Sequence, residues 1–373
     1  MRDITISNKI KRTLFIFLPI SLFILFIIFG FHSYEVKHDM KTIRNMESSN
    51  LKTLSKIMVG EIQLMMTDIN YLTRSVSSHL KSEGSLENQK KTLENIFFLF
   101  CAEKGIYDQV RLIDNTGKEI LRVNYNNGDP FMVPENQLQI KKNRYYFRDV
   151  IDLNQNEIYI SPFDLNIENG ELEKPIKPMI RIGTPITNDK QGKEGIVVLN
   201  YLGDRLFEKI NAYKEDFMGN LSIVNSDGYW LNGSDSEFLW GFMFPDKKDI
   251  SYAKYFENEW KSISSSDYGS IRSKNGLINH ITIYPADVGW HSSDGSPFAY
   301  QSSTIHFADK DYYWKAILQL EPDTLSSLLH YDVANHALLA GFLIVITLFG
   351  SFALANSNLE SEAVKKELER NEK

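Results

Sequence analysis

Two stretches of this chain carry almost no polar side chains. Residues 14–31 are broken only by Pro19, Ser21 and Gly30, and residues 337–355 contain no charged side chain. About 20 apolar residues cross the ~30 Å hydrocarbon layer as a helix, so both stretches predict transmembrane helices, over residues 14–33 and 336–355. The first run passes into Phe31, His32 and Tyr34 without a small-x-small cleavage site, which predicts a retained anchor rather than a signal peptide. Lys9, Lys11 and Arg12 precede it, and the positive-inside rule then places residues 1–13 in the cytoplasm. Two spans return residues 356–373 to the same side and leave residues 34–335 outside, in the periplasm of a cell with an inner (plasma) membrane. Neither span holds an Asp, Glu, Lys or Arg, which argues against a transporter or channel.

Between the spans, Ile43, Met46, Leu51, Leu54, Ile57, Met58, Ile62, Met65, Ile69 and Leu72 recur at helical spacing. They predict one long helix over residues 34–84, stopped by Gly84. A second helical pattern covers residues 93–99. Strand patterns follow at 109–114 and 120–123 around the turn Asp114-Asn115-Thr116-Gly117, and at 158–161, 179–185 and 195–201, the last two flanking Asn188-Asp189-Lys190-Gln191-Gly192. The pattern then restarts: a helix over 204–213, a strand at 221–225, the turn Ser226-Asp227-Gly228, a returning strand at 229–231, later strands at 281–284 and 314–319, and a helix over 322–330. Two similar α+β modules in tandem, residues 85–203 and 204–331, are the economical explanation.

A length of 373 residues exceeds what one core usually supports, and 43% hydrophobic with 12% aromatic residues excludes global disorder. The net charge of -7, without any Lys/Arg block, makes nucleic acid an unexpected partner. Cys101 is the single cysteine, so no internal disulfide can form, and its apolar neighbours Leu99 and Phe100 predict a buried thiol. The eight histidines show no metal-ligand spacing, and neither a nucleophile elbow nor a phosphate-binding loop is present. The expectation is no metal, no cofactor and no catalytic residue in this chain.

Five pieces resemble a known family: Gln109-Val110-Arg111-Leu112-Ile113-Asp114 with Gly117-Lys118-Glu119; Arg144-Tyr145-Tyr146-Phe147; Ile158-Tyr159-Ile160-Ser161-Pro162-Phe163-Asp164; Lys177-Pro178-Met179-Ile180-Arg181; and Trp240-Gly241-Phe242-Met243. In this order between two spans they resemble the double Cache (dCache) sensor regions of bacterial histidine kinases, diguanylate cyclases and chemoreceptors, whose modules are PAS-like. The resemblance covers residues 35–335. It implies an α+β fold in which the long N-terminal helix carries two tandem Cache modules with antiparallel sheets. It further implies that the membrane-distal module, residues 85–203, holds a ligand, while the proximal one transmits. Relatives that recognise amino acids have an Arg followed two residues on by an aromatic pair, which here is Arg144 with Tyr146 and Phe147. They also place an acidic residue on the last strand of the distal module; the matching position is Asn200, a neutral amide, which speaks against amino-acid recognition.

The residues support the same chemistry directly. Arg144 offers a fork-shaped cation beside the aromatic walls of Tyr146 and Phe147, suited to a small carboxylate-bearing ligand. Alternatively, Arg144 pairs with Asp149 or Asp152, and the two aromatics pack a core. Arg181 sits inside an apolar strand and must meet a carboxylate, either internal, such as Asp164 or Glu168, or the ligand's own. Tyr159, Ser161 and Asp164 are candidate lining residues, although Ser161-Pro162 could simply end a strand. Trp240 and its neighbours read as a structural plug. Residues 356–373 are charged and helix-prone, with Leu359, Ala363, Val364 and Leu368 the apolar positions, as a cytoplasmic signalling helix would be. No histidine there can accept phosphate, so the expected output domain lies outside this sequence, as in a sensor half cut within a helix. The expected protein is a homodimeric receptor in the lipid bilayer; the rival readings are a tethered extracytoplasmic enzyme and an adhesion or scaffold module.

Overall fold

The computed structural model describes residues 2–83, 86–126, 128–168, 170–188, 192–286, 290–293, 305–307, 312–329 and 333–371. The chain divides into two compact units: residues 1–46 with 322–373, and residues 47–321.

The first helix, α1, runs without a break over Arg2–Glu83. In the larger unit its fully buried stripe is Leu51, Leu54, Met58, Ile62, Met65, Ile69, Leu72 and Val76, spaced by steps of three and four so that one face meets the core. Ile57 is only half-buried, and Met46, in the smaller unit, is exposed. Two buried acids, Glu61 and Asp68, interrupt the apolar face without being orphaned. Tyr201 Oη donates to Glu61 Oε2 at 3.1 Å and Lys209 pairs with the same carboxylate, while Tyr107 Oη donates to Asp68 Oδ2 at 2.7 Å. Helix α2 (Leu86–Lys104) buries Leu93, Phe97, Phe100 and Cys101, and burial pushes the Cys101 thiol up to about 12.

The strands are β1 (Tyr107–Asp114), β2 (Glu119–Asn126), β3 (Asp129–Met132), β4 (Ile158–Ile160), β5 (Asp164–Leu165), β6 (Ile167–Glu168), β7 (Glu171–Leu172), β8 (Pro178–Thr187), β9 (Lys193–Leu202), β10 (Asn220–Asn225), β11 (Trp230–Asn232), β12 (Tyr268–Ser273), β13 (Gly276–Ile283), β14 (Trp290–Ser293), β15 (Ile305–Phe307) and β16 (Trp314–Leu320). The first sheet has the order β15-β14-β4-β8-β9-β1-β2-β3, with β5 also pairing β8; among the described residues only β14 and β4 run parallel. The second is antiparallel, in the order β11-β10-β16-β13-β12. The β1–β2 turn closes as its sequence predicts. Gly117 has φ +90°, and Asp114 Oδ1 accepts from the backbone N–H of Thr116 and Lys118, both at 2.9 Å. A Cβ at Gly117 would also meet the backbone of Lys142 at 2.7 Å. In the β8–β9 turn Asn188 N donates to Gly192 O at 2.9 Å; residues 189–191 of that expected turn lie outside the described residues.

Helices α3 (Tyr145–Ile151), α4 (Gly203–Tyr213), α5 (Tyr252–Tyr255) and α6 (Glu257–Ser264) pack against the sheets. Strands β14 and β15, drawn from chain beyond residue 204, extend the edge of the first sheet; the sequence pattern gives no hint of this, because register with β4 is a long-range match. An aromatic cluster joins the two sheets: Phe163 lies 5.1 Å from Phe207, 5.3 Å from Trp240 and 5.7 Å from Trp314. Trp240 is the plug expected at that position. It is fully buried and holds φ +61°, a conformation that costs a non-glycine residue about 1–3 kcal/mol and persists only where surrounding packing imposes it.

In the smaller unit, α7 (Pro322–Leu329) precedes α8 (Val333–Asn371), one helix that joins the second apolar stretch to the charged tail. Both α1 and α8 are long and apolar enough to cross a membrane. Large side chains such as Phe15, Phe26, Leu338 and Phe349 point outward, whereas Thr13, Ser21, Ser351 and Ala355 are buried. Small residues where spans touch let backbones approach closely. Arg12 donates both Nη atoms to Glu362, at 2.7 and 2.9 Å.

Within the second sheet His280 is buried, with its ring over Gly269 and no hydrogen-bond partner at either nitrogen among the described residues. Burial, reinforced by Lys315, lowers its pKa to about 4. The folded state therefore binds fewer protons than the unfolded one between that value and the ordinary histidine range near 6.5. Stability is fully present above ~6.5 and is lost as pH falls toward about 4, by on the order of 2–3 kcal/mol. His280→Gln should flatten that part of the pH profile, as chemical denaturation at pH 7.5 and 4.5 would show.

Candidate functional site

Strand register assembles a polar row on one face of the first sheet. Gln109 on β1 pairs with Asn200 on β9, which pairs with Arg181 on β8. Arg111, two residues from Gln109, points to the same face by the period of the strand. Each lies in an otherwise apolar run, and each charge needs a partner there.

Arg181 is the most tightly held. Its Nη1 donates to Asp164 Oδ1 at 2.6 Å and to Tyr145 Oη at 3.3 Å, its Nη2 to Asn166 Oδ1 at 2.9 Å, and Tyr145 Oη donates to Asp164 Oδ2 at 2.9 Å. Asp164, rather than Glu168, is thus the internal partner. Ser161 Oγ accepts from Arg181 N at 2.8 Å, so Ser161 holds the backbone of that strand. Arg111 donates from Nη1 to Tyr146 Oη at 2.6 Å and from Nη2 to Gln109 Oε1; its nearest acid, Glu119, is 3.9 Å away and also serves Arg122 at 3.2 Å.

Tyr146 stands at the centre. The guanidinium carbons of Arg111, Arg144 and Arg181 lie 5.6, 5.7 and 5.7 Å from its ring centroid. Burial alone would raise its hydroxyl pKa, but the positive charges of Arg111, Lys141, Arg144 and Arg181 outweigh that and hold it below the usual tyrosine range. Burial, offset in part by Tyr146, pushes the Lys141 ammonium below its usual range.

Among the described residues Arg144 has no carboxylate partner, so neither Asp149 nor Asp152 takes the place that an internal ion pair would require. Its Nε is buried and unpartnered, as are Nε of Arg111 and Arg181 and Oδ1 of Asn200, whose Nδ2 donates to Gln109 Oε1 at 3.4 Å. The cluster is rich in hydrogen-bond donors and positive charge, an arrangement suited to an anion. Phe147 and Tyr159 belong to the adjoining core with Val150, Leu153, Ile196 and Val198, a core that the rings of Tyr145 and Tyr146 also join, and Tyr159 Oη is engaged by Ser293 Oγ at 2.7 Å.

Of the eight residues singled out by sequence, Arg144, Tyr146, Asp164, Arg181 and Asn200 converge, Ser161 supports them, and Phe147 and Tyr159 pack beside them. Arg111, Lys141, Gln109 and Tyr145 join the same cluster without standing among those eight. Arg111 carries the same signal that marks Arg181, a cation inside an apolar strand; Gln109 and Tyr145 carry no such signal.

A family model for the bacterial histidine kinase sensor domain matches residues 50–287. Curated proteins give no match. Among solved structures, a domain from a Vibrio parahaemolyticus protein described as sensory box/GGDEF family is 20% identical, with TM-score 0.62, over 77% of this chain and 99% of that one. The extracellular domain described as that of histidine kinase vpHK1S-Z8 is 20% identical, with TM-score 0.61, over 82% and 99%. The sensory domain of the Campylobacter jejuni chemoreceptor Tlp3, solved with isoleucine bound, is 13% identical, with TM-score 0.53, over 79% and 98%. At these identities the likeness is one of fold, and the fold is the Cache-type sensor architecture.

The two arginines should differ in what their truncation costs. Arg181→Ala strands buried Asp164 and should cost about 3–5 kcal/mol, whereas Arg144→Ala, which breaks no ion pair, should cost less than about 1 kcal/mol. Urea titration of the full chain in detergent, followed by tryptophan fluorescence, checks both.

Proposed function

The chain belongs to the bacterial histidine kinase sensor-domain family, and from that premise we propose that it is a two-pass membrane receptor for a small carboxylate. Residues 34–335 face outside, the distal module of residues 85–203 binds the ligand, and the proximal module of residues 204–331 passes the change to the second span. A homodimer is the working assembly, and the cytoplasmic output is a domain or partner beyond these residues. The observation that carries the reading is Arg144: a guanidinium without a carboxylate, stacked on Tyr146 inside a ring completed by Arg111, Lys141 and Arg181.

A ligand carboxylate would take the unpaired donors of Arg144 and Arg111, with the Tyr146 hydroxyl beside them. Asn200 Oδ1 would accept from a donor on the ligand, such as a hydroxyl. A neutral amide at that position gives an ammonium no charge to meet, so hydroxy acids and other organic acids suit the site better than amino acids do. Phe163, next to Asp164, touches Trp240 and Trp314, so binding at the first sheet is one residue away from the junction with the second. Ligand acts through its differential affinity for two arrangements of that junction, typically about 1–3 kcal/mol of coupling.

Thermal-shift screening of the full chain against organic acids, amino acids and amines should give a stabilising organic acid. Arg144→Ala should abolish its effect while leaving the unliganded melting temperature nearly unchanged. Turnover of the compound would support the enzyme reading instead, and silence across the panel the scaffold reading. Protease added to spheroplasts should cleave within residues 34–335; complete protection would defeat the topology.

A further inference from the structure

Half of the eight histidines fall in two short windows beside the apolar stretches: His32 and His38 after the first, His330 and His336 before the second. Some 300 residues separate these windows, yet within the smaller unit the fold brings part of them together. His32 and Glu35 lie one turn apart on the same face of α1, and His336 lies in the first turn of α8. Their candidate ligand atoms all lie within 4.8 Å of one another. His336 Nε2 is 3.2 Å from Glu35 Oε2, the two imidazoles meet edge-on with centroids 5.5 Å apart, and Phe31 packs on His336 at 5.8 Å. His336 Nδ1 is buried without a partner among the described residues. Among the described residues no Lys or Arg pairs with Glu35, so the carboxylate has only imidazoles to face.

We propose that His32, Glu35 and His336 form a binding site for a transition-metal dication of the Zn²⁺ class. Two imidazoles and one carboxylate are the donor set that such borderline ions prefer, whereas Ca²⁺ and Mg²⁺ select oxygen-rich sets. Bonds of about 2.0–2.1 Å in tetrahedral geometry set donor atoms ~3.4 Å apart. The Glu35–His336 separation already meets that spacing, and the other ligand-atom pairs lie within 4.8 Å. Three protein ligands leave the fourth position to water. Because the donors come from both apolar helices, metal favours the arrangement in which α1 and α8 are clasped at this level. This ties the sensor to a second input, an extracytoplasmic metal ion, that is independent of the carboxylate site.

Titration of the full chain in nanodiscs with Co²⁺, read by visible absorption and by displacement with Zn²⁺, tests the site. The expected result is one Co²⁺ per chain, with His32→Gln and His336→Gln each weakening binding by about 100-fold and Glu35→Gln by at least about 10-fold. His38→Gln and Arg144→Ala should leave it unchanged, and the latter separates this site from the carboxylate reading. Absence of Co²⁺ and Zn²⁺ binding by the unaltered chain, or equal binding by the His32→Gln/His336→Gln double variant, overturns the proposal. Should the histidine variants fail to fold by circular dichroism, the near-isosteric Glu35→Gln decides alone: unchanged affinity overturns the site.

Discussion

A guanidinium buried inside a sheet is tolerated only where a carboxylate and further acceptors meet it, and the Arg181–Asp164 pair is where this fold satisfies that demand. The pair has consequences on both sides. It brings β5 to the edge of β8, holds Tyr145 at the start of α3, and through Asn166 reaches Glu173. Gly183, one pleat further along β8, leaves room for α3 because a Cβ there would meet Val150 at 2.7 Å. The helix that presents Arg144 and Tyr146 is therefore positioned by one ion pair and one missing methyl group.

That anchoring explains how charge can stay unbalanced nearby. Asp164 is consumed by Arg181, and Glu119 is divided between Arg122, Arg111 and the backbone N–H of Gln139. Arg144 and Lys141 are left facing Tyr146, and the phenol is polarised by their field. A protein core normally avoids such a surplus, since desolvated like charges repel and the cost is not recovered by packing. An excess of this kind is what a bound anion would relieve.

Much of this architecture was legible in the sequence, and what was lost has a common physical cause. Period-3.6 spacing from Leu51 to Leu72 and period-2 runs such as residues 109–114 are local signals, so α1, the β1–β2 hairpin, β8, β9 and β16 stand where their patterns place them. Arg181 was legible for the same reason, being a charge where the pattern demands an apolar residue. The short helix α3 was not, since Tyr145, Tyr146 and Phe147 are poor helix formers and only tertiary packing winds them. Strand β14, to which β15 adds, and the His32–Glu35–His336 cluster leave no local mark because each depends on a partner more than a hundred residues away. Arg111 carries a signal equal to that of Arg181, a cation inside an apolar strand.

The division of labour between the two arginines bears on how such a site could signal. A cation already neutralised, like Arg181, keeps its partners whether ligand is present or absent and contributes equally to both states; it fixes shape. A cation without a carboxylate among the described residues, like Arg144, would gain an ion pair only when an anion arrives, so its free energy would differ between states, and only differences of that kind shift an equilibrium. Asp164 stands at the boundary between these roles: its side chain locks Arg181, and the residue before it, Phe163, lies against Trp240, whose left-handed backbone is already strained. Strain stored at a junction lowers the work needed to exchange one packing for another, and a site that couples through it needs no more than a few kcal/mol of ligand discrimination to move the balance.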